Sequence, residues 1–268
     1  MPATERLVTD SSEHVRESLA AVVNDLATVL GKEDTIELLL PMLLSLLRDS
    51  VPEVRLNVMS NLDSLNRVIG VELLSQSLLP AIVDLAEDSK WRIRLAIIGH
   101  IPKLAEHLGG ALFSERLNAL CLTWLGDDVF AVRKAAAENL RMLSEHFGEP
   151  WTLQQLVPKL ERMHVHTNYM QRMTCLYGAQ VLTQSLTRDA IYRTILPFVL
   201  KLANDPVPNV RFTVAKTLPL IARSPVGPDY SRTAQRTITA ERGILAALDR
   251  LNSDADRDVR FFAEKVSV

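Results

Sequence analysis

Residues 88–109 read DSKWRIRLAIIGHIPKLAEHLG and residues 127–148 read DDVFAVRKAAAENLRMLSEHFG. Laid over each other at an offset of 39 residues, both open on Asp, place an apolar residue and then Arg five and six positions later, and close on Gly. The same phrase recurs at Asp10/Val15/Arg16, Asp49/Val54/Arg55, Asp88/Ile93/Arg94, Asp127/Val132/Arg133, Asp205/Val210/Arg211 and Asp254/Val259/Arg260, with a degenerate copy at His166/Gln171/Arg172. The arginines fall 39 residues apart as far as Arg211, and the last step is 49. A fixed period of this length is the signature of a stacked repeat architecture.

Other columns hold the same register. Leu30, Ile69, Leu108, Phe147 and Leu186 form one, and Leu26, Leu65, Leu104, Leu143, Leu182 and Ile221 another. Gly31, Gly70, Gly109 and Gly148 form a third. Pro41, Pro80, Pro158 and Pro197 form a fourth, with Ala119 in the missing place and Pro2 one period before Pro41.

Within a repeat the spacing predicts two helices. After the Arg, Ile93, Ile97, Ile101, Leu104 and Leu108 make one apolar stripe at helical period. The glycine behind the stripe is expected to adopt a left-handed conformation and cap the helix. A second apolar segment precedes the Asp, as in IELLLPMLLSLL over 36–47, and its proline is expected to kink that helix. A helix pair cannot bury both apolar faces alone, so neighbours must stack. The fold expected is an all-α, right-handed solenoid of about seven antiparallel helix pairs, spanning 1–31, 32–70, 71–109, 110–148, 149–187, 188–222 and 243–268. The stretch 223–242, with Ser-Pro-Val-Gly-Pro at 224–228, is expected to be an inserted loop that accounts for the long last step. The recurring Asp and Arg residues are expected to form a hydrogen-bonded ladder along the stack: Asp10, Arg16, Asp49, Arg55, Asp88, Arg94, Asp127, Arg133, Arg172, Asp205, Arg211, Asp254 and Arg260.

Composition narrows the function. The chain of 268 residues is 47% apolar with a net charge of −2, and it has no long basic run, which argues against a nucleic-acid binder. Its two cysteines, Cys121 and Cys175, have no ligand-like spacing and fit a reducing compartment, cytosolic or nuclear. No apolar run approaches the roughly 18–20 residues that span a bilayer, so no membrane partner is expected. His164-x-His166 near Cys175 falls short of a metal-ligand set, and neither a phosphate-cradling Gly loop nor a Gly-x-Ser-x-Gly elbow is present. No catalytic residue, metal or cofactor is expected.

The turns between paired helices carry the remaining signal. Those reading SKWR (89–92), DVFA (128–131) and TNYM (167–170) contain Trp, Phe and Tyr in succession, although the whole chain holds only 3 Trp, 7 Phe and 4 Tyr. Aromatic residues and Arg at exposed positions are the usual anchors of protein interfaces. A ridge of turn contacts along successive repeats is therefore expected to bind a protein partner.

The phrases PEVRLNVMSNLDSLNRVIG (52–70), LSQSLLPAIVDLAEDSKWRIRLAII (74–98), RLNALCLTWLGDDVFAVRKAA (116–136), DPVPNVRFTVAKTL (205–218) and DVRFFAE (258–264) resemble the scaffold, or A, subunit family of protein phosphatase 2A, a HEAT-repeat family. The resemblance implies a non-enzymatic scaffold similar to the C-terminal seven of that family's fifteen repeats. It implies docking of the phosphatase catalytic subunit through the intra-repeat turns, at Trp91 and Arg92, Val129 and Phe130, Asn168 and Tyr169, Pro206 and Val207, and Asp256 and Arg257. Exchangeable regulatory subunits would need N-terminal repeats that this chain lacks, so a fragment of a longer array is expected. Two departures stand out, namely the insertion before the last repeat and His166 at a ladder position. The alternative is a HEAT-repeat adaptor of the nuclear-transport type, with cargo held on the second helices.

Overall fold

The computed structural model describes residues 2–60, 62–225 and 234–264. Those residues are helical with short connecting turns, and they divide into two compact units, 1–120 and 121–268. The architecture is an all-helical solenoid of the HEAT and armadillo kind.

In the first unit the order is α1 (Pro2–Val8), α2 (Glu13–Val22), α3 (Leu26–Asp34), α4 (Leu40–Leu46), α5 (Pro52–Ser60), α6 (Leu62–Ile69), α7 (Val71–Ala86) and α8 (Trp91–Arg116). A 3₁₀ turn, Val23–Asp25, precedes α3 and a π turn, Thr35–Leu39, follows it. The division between units falls inside α9 (Asn118–Thr123). The second unit continues through α10 (Phe130–Phe147), α11 (Glu149–Gln155), α12 (Val157–Met163), α13 (Tyr169–Leu182), α14 (Arg188–Thr194), α15 (Leu196–Leu202), α16 (Pro208–Ala222), α17 (Ala234–Asn252) and α18 (Arg257–Glu264).

The apolar columns build the core. Ile93, Ile97, Ile101, Leu104 and Leu108 are all buried, as are Leu65, Leu143, Leu182 and Ile221, one from each of four other repeats. Each fully buried Leu or Ile contributes about 2 kcal/mol. In the first unit α2 packs on α5 and α5 on α8; in the second α10 packs on α13, α13 on α16 and α16 on α18. Like helices of successive repeats thus lie side by side, and polar side chains stitch them. Asn24 Nδ2 donates to Val58 O at 2.7 Å, and Gln180 Nε2 donates to Thr217 Oγ1 at 2.9 Å.

Three features differ from the sequence reading. The column glycines have φ between 71° and 83°, but ψ near 160–180°. This is the extended mirror region that belongs almost wholly to glycine, rather than the left-handed helical cap. The backbone turns a corner there and enters the next helix at once, so Gly148 ends α10 and begins α11. Secondly, first helices break just ahead of the proline lattice, yet not because of proline alone. Leu117, Leu156 and Ile195 occupy one repeat position and have φ of −117°, −98° and −96°. Pro158 and Pro197 follow two of these breaks, but Ala119 follows the other, whereas α7 runs through Pro80. Proline fits the first turn of the second half-helix because its missing N–H has no intrahelical partner there. Thirdly, the expected inserted loop at 223–242 is shorter. Residues 234–242 form the first half of α17, while 226–233 lie outside the described residues. The chain leaving α16 is pinned, with Arg188 donating from its backbone N to Pro225 O at 2.7 Å and from Nε to Ser224 O at 3.0 Å.

Candidate functional site

Each intra-repeat turn is built by one Asp and one Arg. The Asp carboxylate accepts a hydrogen bond from the backbone N–H two residues on, which closes the turn. The donors are Ser12, Val51, Lys90, Val129, Val207 and Asp256, at 2.7–2.9 Å. The Arg six residues on then donates Nη1 to the carbonyl of the same Asp. In the fifth copy His166 stands in, with Nδ1 accepting from Asn168 N at 3.0 Å and its carbonyl accepting from Arg172 Nη1 at 2.8 Å.

The rest of the guanidinium reaches the next repeat. Arg16 Nε and Nη2 grip Asp49 at 2.6 and 3.1 Å, and Arg55 Nη2 reaches Asp88 at 2.9 Å. Arg172 grips Asp205 at 2.5 and 2.9 Å, and Arg211 grips Asp254 at 2.6 and 2.8 Å. These pairs are largely shielded, which strengthens charge-assisted, two-point bonds. The Asp205 side chain is 3% exposed and that of Arg172 11%. Arg16 beside Asp49, and Arg211 beside Asp254, hold both carboxyls below the ordinary carboxylate range. Arg133 differs. Among the described residues it meets no carboxylate, keeping the carbonyls of Asp127 and Asp128 and lying 5.7 Å from the centre of the Phe130 ring.

The ladder fixes what the turns present. The residue opening each second helix occupies one repeat position, held by Glu13, Pro52, Trp91, Phe130, Tyr169, Pro208 and Arg257. In the first unit Trp91 is half-buried and the exposed Arg92 guanidinium stacks over its ring at 4.5 Å. In the second unit Phe130 is 52% exposed and Tyr169 40% exposed. Phe130 meets the edge of Tyr177 at 6.1 Å between ring centres. Val129 and Val207 are half-buried residues in extended conformation just before the helix, and Pro206 is exposed.

Two of the predicted contact residues also have structural duties. Asn168 caps α13 by accepting from Met170 N at 2.9 Å. Asp256 caps α18 by accepting from Asp258 N at 2.9 Å and Val259 N at 3.1 Å, while Arg257 beside it is exposed. The His164, His166 and Cys175 trio is dispersed. His164 stacks on Phe198, His166 is exposed, and the buried Cys175 donates its S–H to Leu160 O. Burial pushes the thiols of Cys121 and Cys175 up, away from reactive thiolate.

The sequence reading missed an aromatic cluster on the second helices. Phe212 of α16 meets Phe262 of α18 edge-on at 4.7 Å, and Lys216 Nζ lies over both rings. The signal was the adjacent pair Phe261-Phe262, since Phe261 matches Phe212 across the 49-residue step.

Among the described residues no helix is long and apolar enough to cross a membrane. The family described as PIK3R4-like, middle domain, matches residues 42–177, and the HEAT repeat family matches residues 195–224. The regulatory A subunit of protein phosphatase PP2A from Saccharomyces cerevisiae is 41% identical over 120 residues, which are 44% of this chain and 18% of that protein. Its counterpart in Schizosaccharomyces pombe is 45% identical over 68 residues, 25% of this chain and 12% of that protein. The matched stretches therefore span less than a fifth of these curated relatives. Among solved structures, that of Kap95p with RanGDP has a TM-score of 0.70 at 15% identity, covering 97% of this chain and 34% of that chain. Importin beta has a TM-score of 0.67 at 9% identity, with the same coverage. At such identities these structures bear on the fold alone.

Proposed function

Because the chain belongs to the family of PIK3R4-like middle domains, and is built of HEAT repeats, we propose that it is a non-enzymatic scaffold that docks the catalytic subunit of a protein phosphatase 2A enzyme through its intra-repeat turns. The contact residues proposed are Trp91, Arg92, Val129, Phe130, Asn168, Tyr169, Pro206, Val207, Asp256 and Arg257. The partial identity to the regulatory A subunits of PP2A from two yeasts supports the choice of partner.

One observation carries the reading. Trp, Phe and Tyr recur at the position that opens the second helix, on turns held by Asp and Arg, and Phe130 and Tyr169 keep 52% and 40% of their surface open. A side chain already held in place loses little freedom on binding, so its contact area converts more fully into affinity. Fully covering a ring of this kind is worth about 2 kcal/mol. Asn168 and Asp256 act by holding the turns in shape. The scaffold's contribution is then geometric: it raises the effective concentration of bound partners relative to each other and performs no chemistry.

The test is titration of the chain with purified phosphatase catalytic subunit. Wild-type protein is expected to bind, and Phe130→Ala, Tyr169→Ala and Trp91→Ala each to weaken binding about tenfold or more, with helical content unchanged. Equal affinity of all three variants and wild type removes the turns from the interface. Failure of folded wild-type protein to bind removes this partner.

A further inference from the structure

Beyond the turns, the second unit has another unusual surface. Phe212 and Lys216 stand one helical turn apart on α16, with Leu220 one turn further, so the three share a face. Lys216 Nζ lies 4.1 Å from the centre of the Phe212 ring and 4.3 Å from that of Phe262. Phe261 meets Phe262 at 5.2 Å and is 47% exposed, and Leu220 is 41% exposed. Tyr177, half-buried on α13, sits one period before Lys216.

Large side chains on a soluble surface usually stand singly, so an apolar group around one cation needs a reason. Structural demand supplies little of it. The Lys216 side chain is exposed, and among the described residues it meets no carboxylate. Neither its own helix nor the corresponding one of the preceding repeat offers any. Helix α13 (YMQRMTCLYGAQVL) and helix α16 (PNVRFTVAKTLPLIA) contain no Asp or Glu, and their charged residues are Arg172, Arg211 and Lys216. The two arginines are committed to Asp205 and Asp254; α18 carries Asp258 and Glu264, but among the described residues neither pairs with Lys216, whose ammonium lies between Phe212 and Phe262. Its position over two rings holds the ammonium in place.

We propose that this face docks a linear segment of a partner protein in which an acidic residue is flanked by large apolar side chains. The acid would pair with Lys216 while the apolar neighbours cover Phe261 and Leu220. A single fixed cation ringed by apolar surface does not match the multiple phosphate contacts that nucleic acids or anionic membranes use. It matches a peptide that supplies one carboxylate and two anchors. Phe212, Lys216, Leu220 and Phe261 lie within α16 and α18 and not in the turns, so one chain could hold this segment and a turn-bound partner together.

Fluorescence anisotropy of the full chain tests this, with a labelled peptide carrying two aspartates flanked by leucines and phenylalanines, and a control in which lysines replace the aspartates. The acidic peptide is expected to bind and the basic one not. Lys216→Glu and Phe261→Ser should each weaken binding about tenfold or more, and Lys216→Gln should fall between Lys216→Glu and wild type. Phe130→Ala should leave this binding unchanged, and Lys216→Glu should leave catalytic-subunit binding unchanged, so the two proposals fail separately. Equal binding of both peptides, or no binding by folded wild-type protein, overturns the inference. A dimer in sedimentation that Phe261→Ser dissolves assigns the face to a second copy instead, and overturns it as well.

Discussion

Two successive steps in the second unit are built differently. From the fifth repeat to the sixth, Arg172 clamps Asp205 with two short bonds, and the corner residue is Thr187, which accepts from Ala190 N through its side chain and donates its own N–H to Glu149 Oε2 at 2.7 Å. From the fourth to the fifth, the corner is Gly148 at φ 83°, and Arg133 meets no carboxylate among the described residues, because His166 takes the Asp position. The contrast separates two jobs that Asp performs at once. Closing the turn needs one acceptor, which an imidazole nitrogen supplies. Bridging to the previous repeat needs a second, anionic acceptor aimed inward, which an exposed imidazole cannot offer. A turn can therefore keep its shape, and display Tyr169, without the inter-repeat rung.

The largest effect should come from the intact step. Asp205→Asn keeps a turn-closing oxygen but strips the charge facing Arg172, whose side chain is 11% exposed. Leaving a shielded guanidinium without its carboxylate costs about 3 kcal/mol. Urea unfolding should report a loss of that order, with His166→Asn close to neutral in the same assay. Equal losses at both positions would show that the rung contributes nothing beyond the turn.

The corners come next. Gly148→Ala meets no obstacle, since the nearest atom to an added Cβ is Pro150 Cδ at 3.9 Å. Its cost is conformational, about 2 kcal/mol for forcing an L-residue into the mirror-extended region. Thr187→Ala, at an ordinary φ of −67°, loses only a long cap bond and should cost about 0.5 kcal/mol. Similar losses at the two corners would mean that the chain can turn there without glycine.

Acid should act on the rungs. Asp49 and Asp254 are held low by Arg16 and Arg211, so their folded-state values lie below their unfolded ones. Such a group stabilises the fold above the unfolded value, about pH 3.9, and that stability is lost as pH falls through the folded value. Stability measured from pH 5 down to pH 2 should fall, and Asp254→Asn should flatten part of the slope.

Much of this contrast could be read in advance, and the limits are physical. The 39-residue period located the first six turns, and the Asp-to-Arg phrase located the last one, because a backbone geometry repeated in space demands the same residues at the same spacing. It also singled out His166 as a departure. It could not show where first helices break, because the break at Leu117 has no proline two residues on, while α7 continues through Pro80. That outcome belongs to packing. Nor could it expose the cluster of Phe212, Lys216 and Phe262, whose members come from helices brought together by stacking and displaced from the lattice by the long last step. The corner glycines were legible as glycines, but their ψ near 160–180° depends on the next helix starting at once.

The one expected gain is also the sharpest test of the contrast. His166→Asp gives the fifth turn the side chain that the other turns possess. The new carboxylate can still close the turn through Asn168 N, and its second oxygen can reach the guanidinium of Arg133, which is 7% exposed. A charge-assisted bond formed there should raise stability by about 1 kcal/mol, seen as a higher urea midpoint with unchanged slope. Because Arg133 would turn from the Phe130 ring toward the new acid, combining the change with Arg133→Gln should erase the gain, while Arg133→Gln alone should cost less than Arg172→Gln. A gain that survives Arg133→Gln would come from the turn itself, and the division of labour between turn closure and rung would then fail at the one place where the sequence separates them.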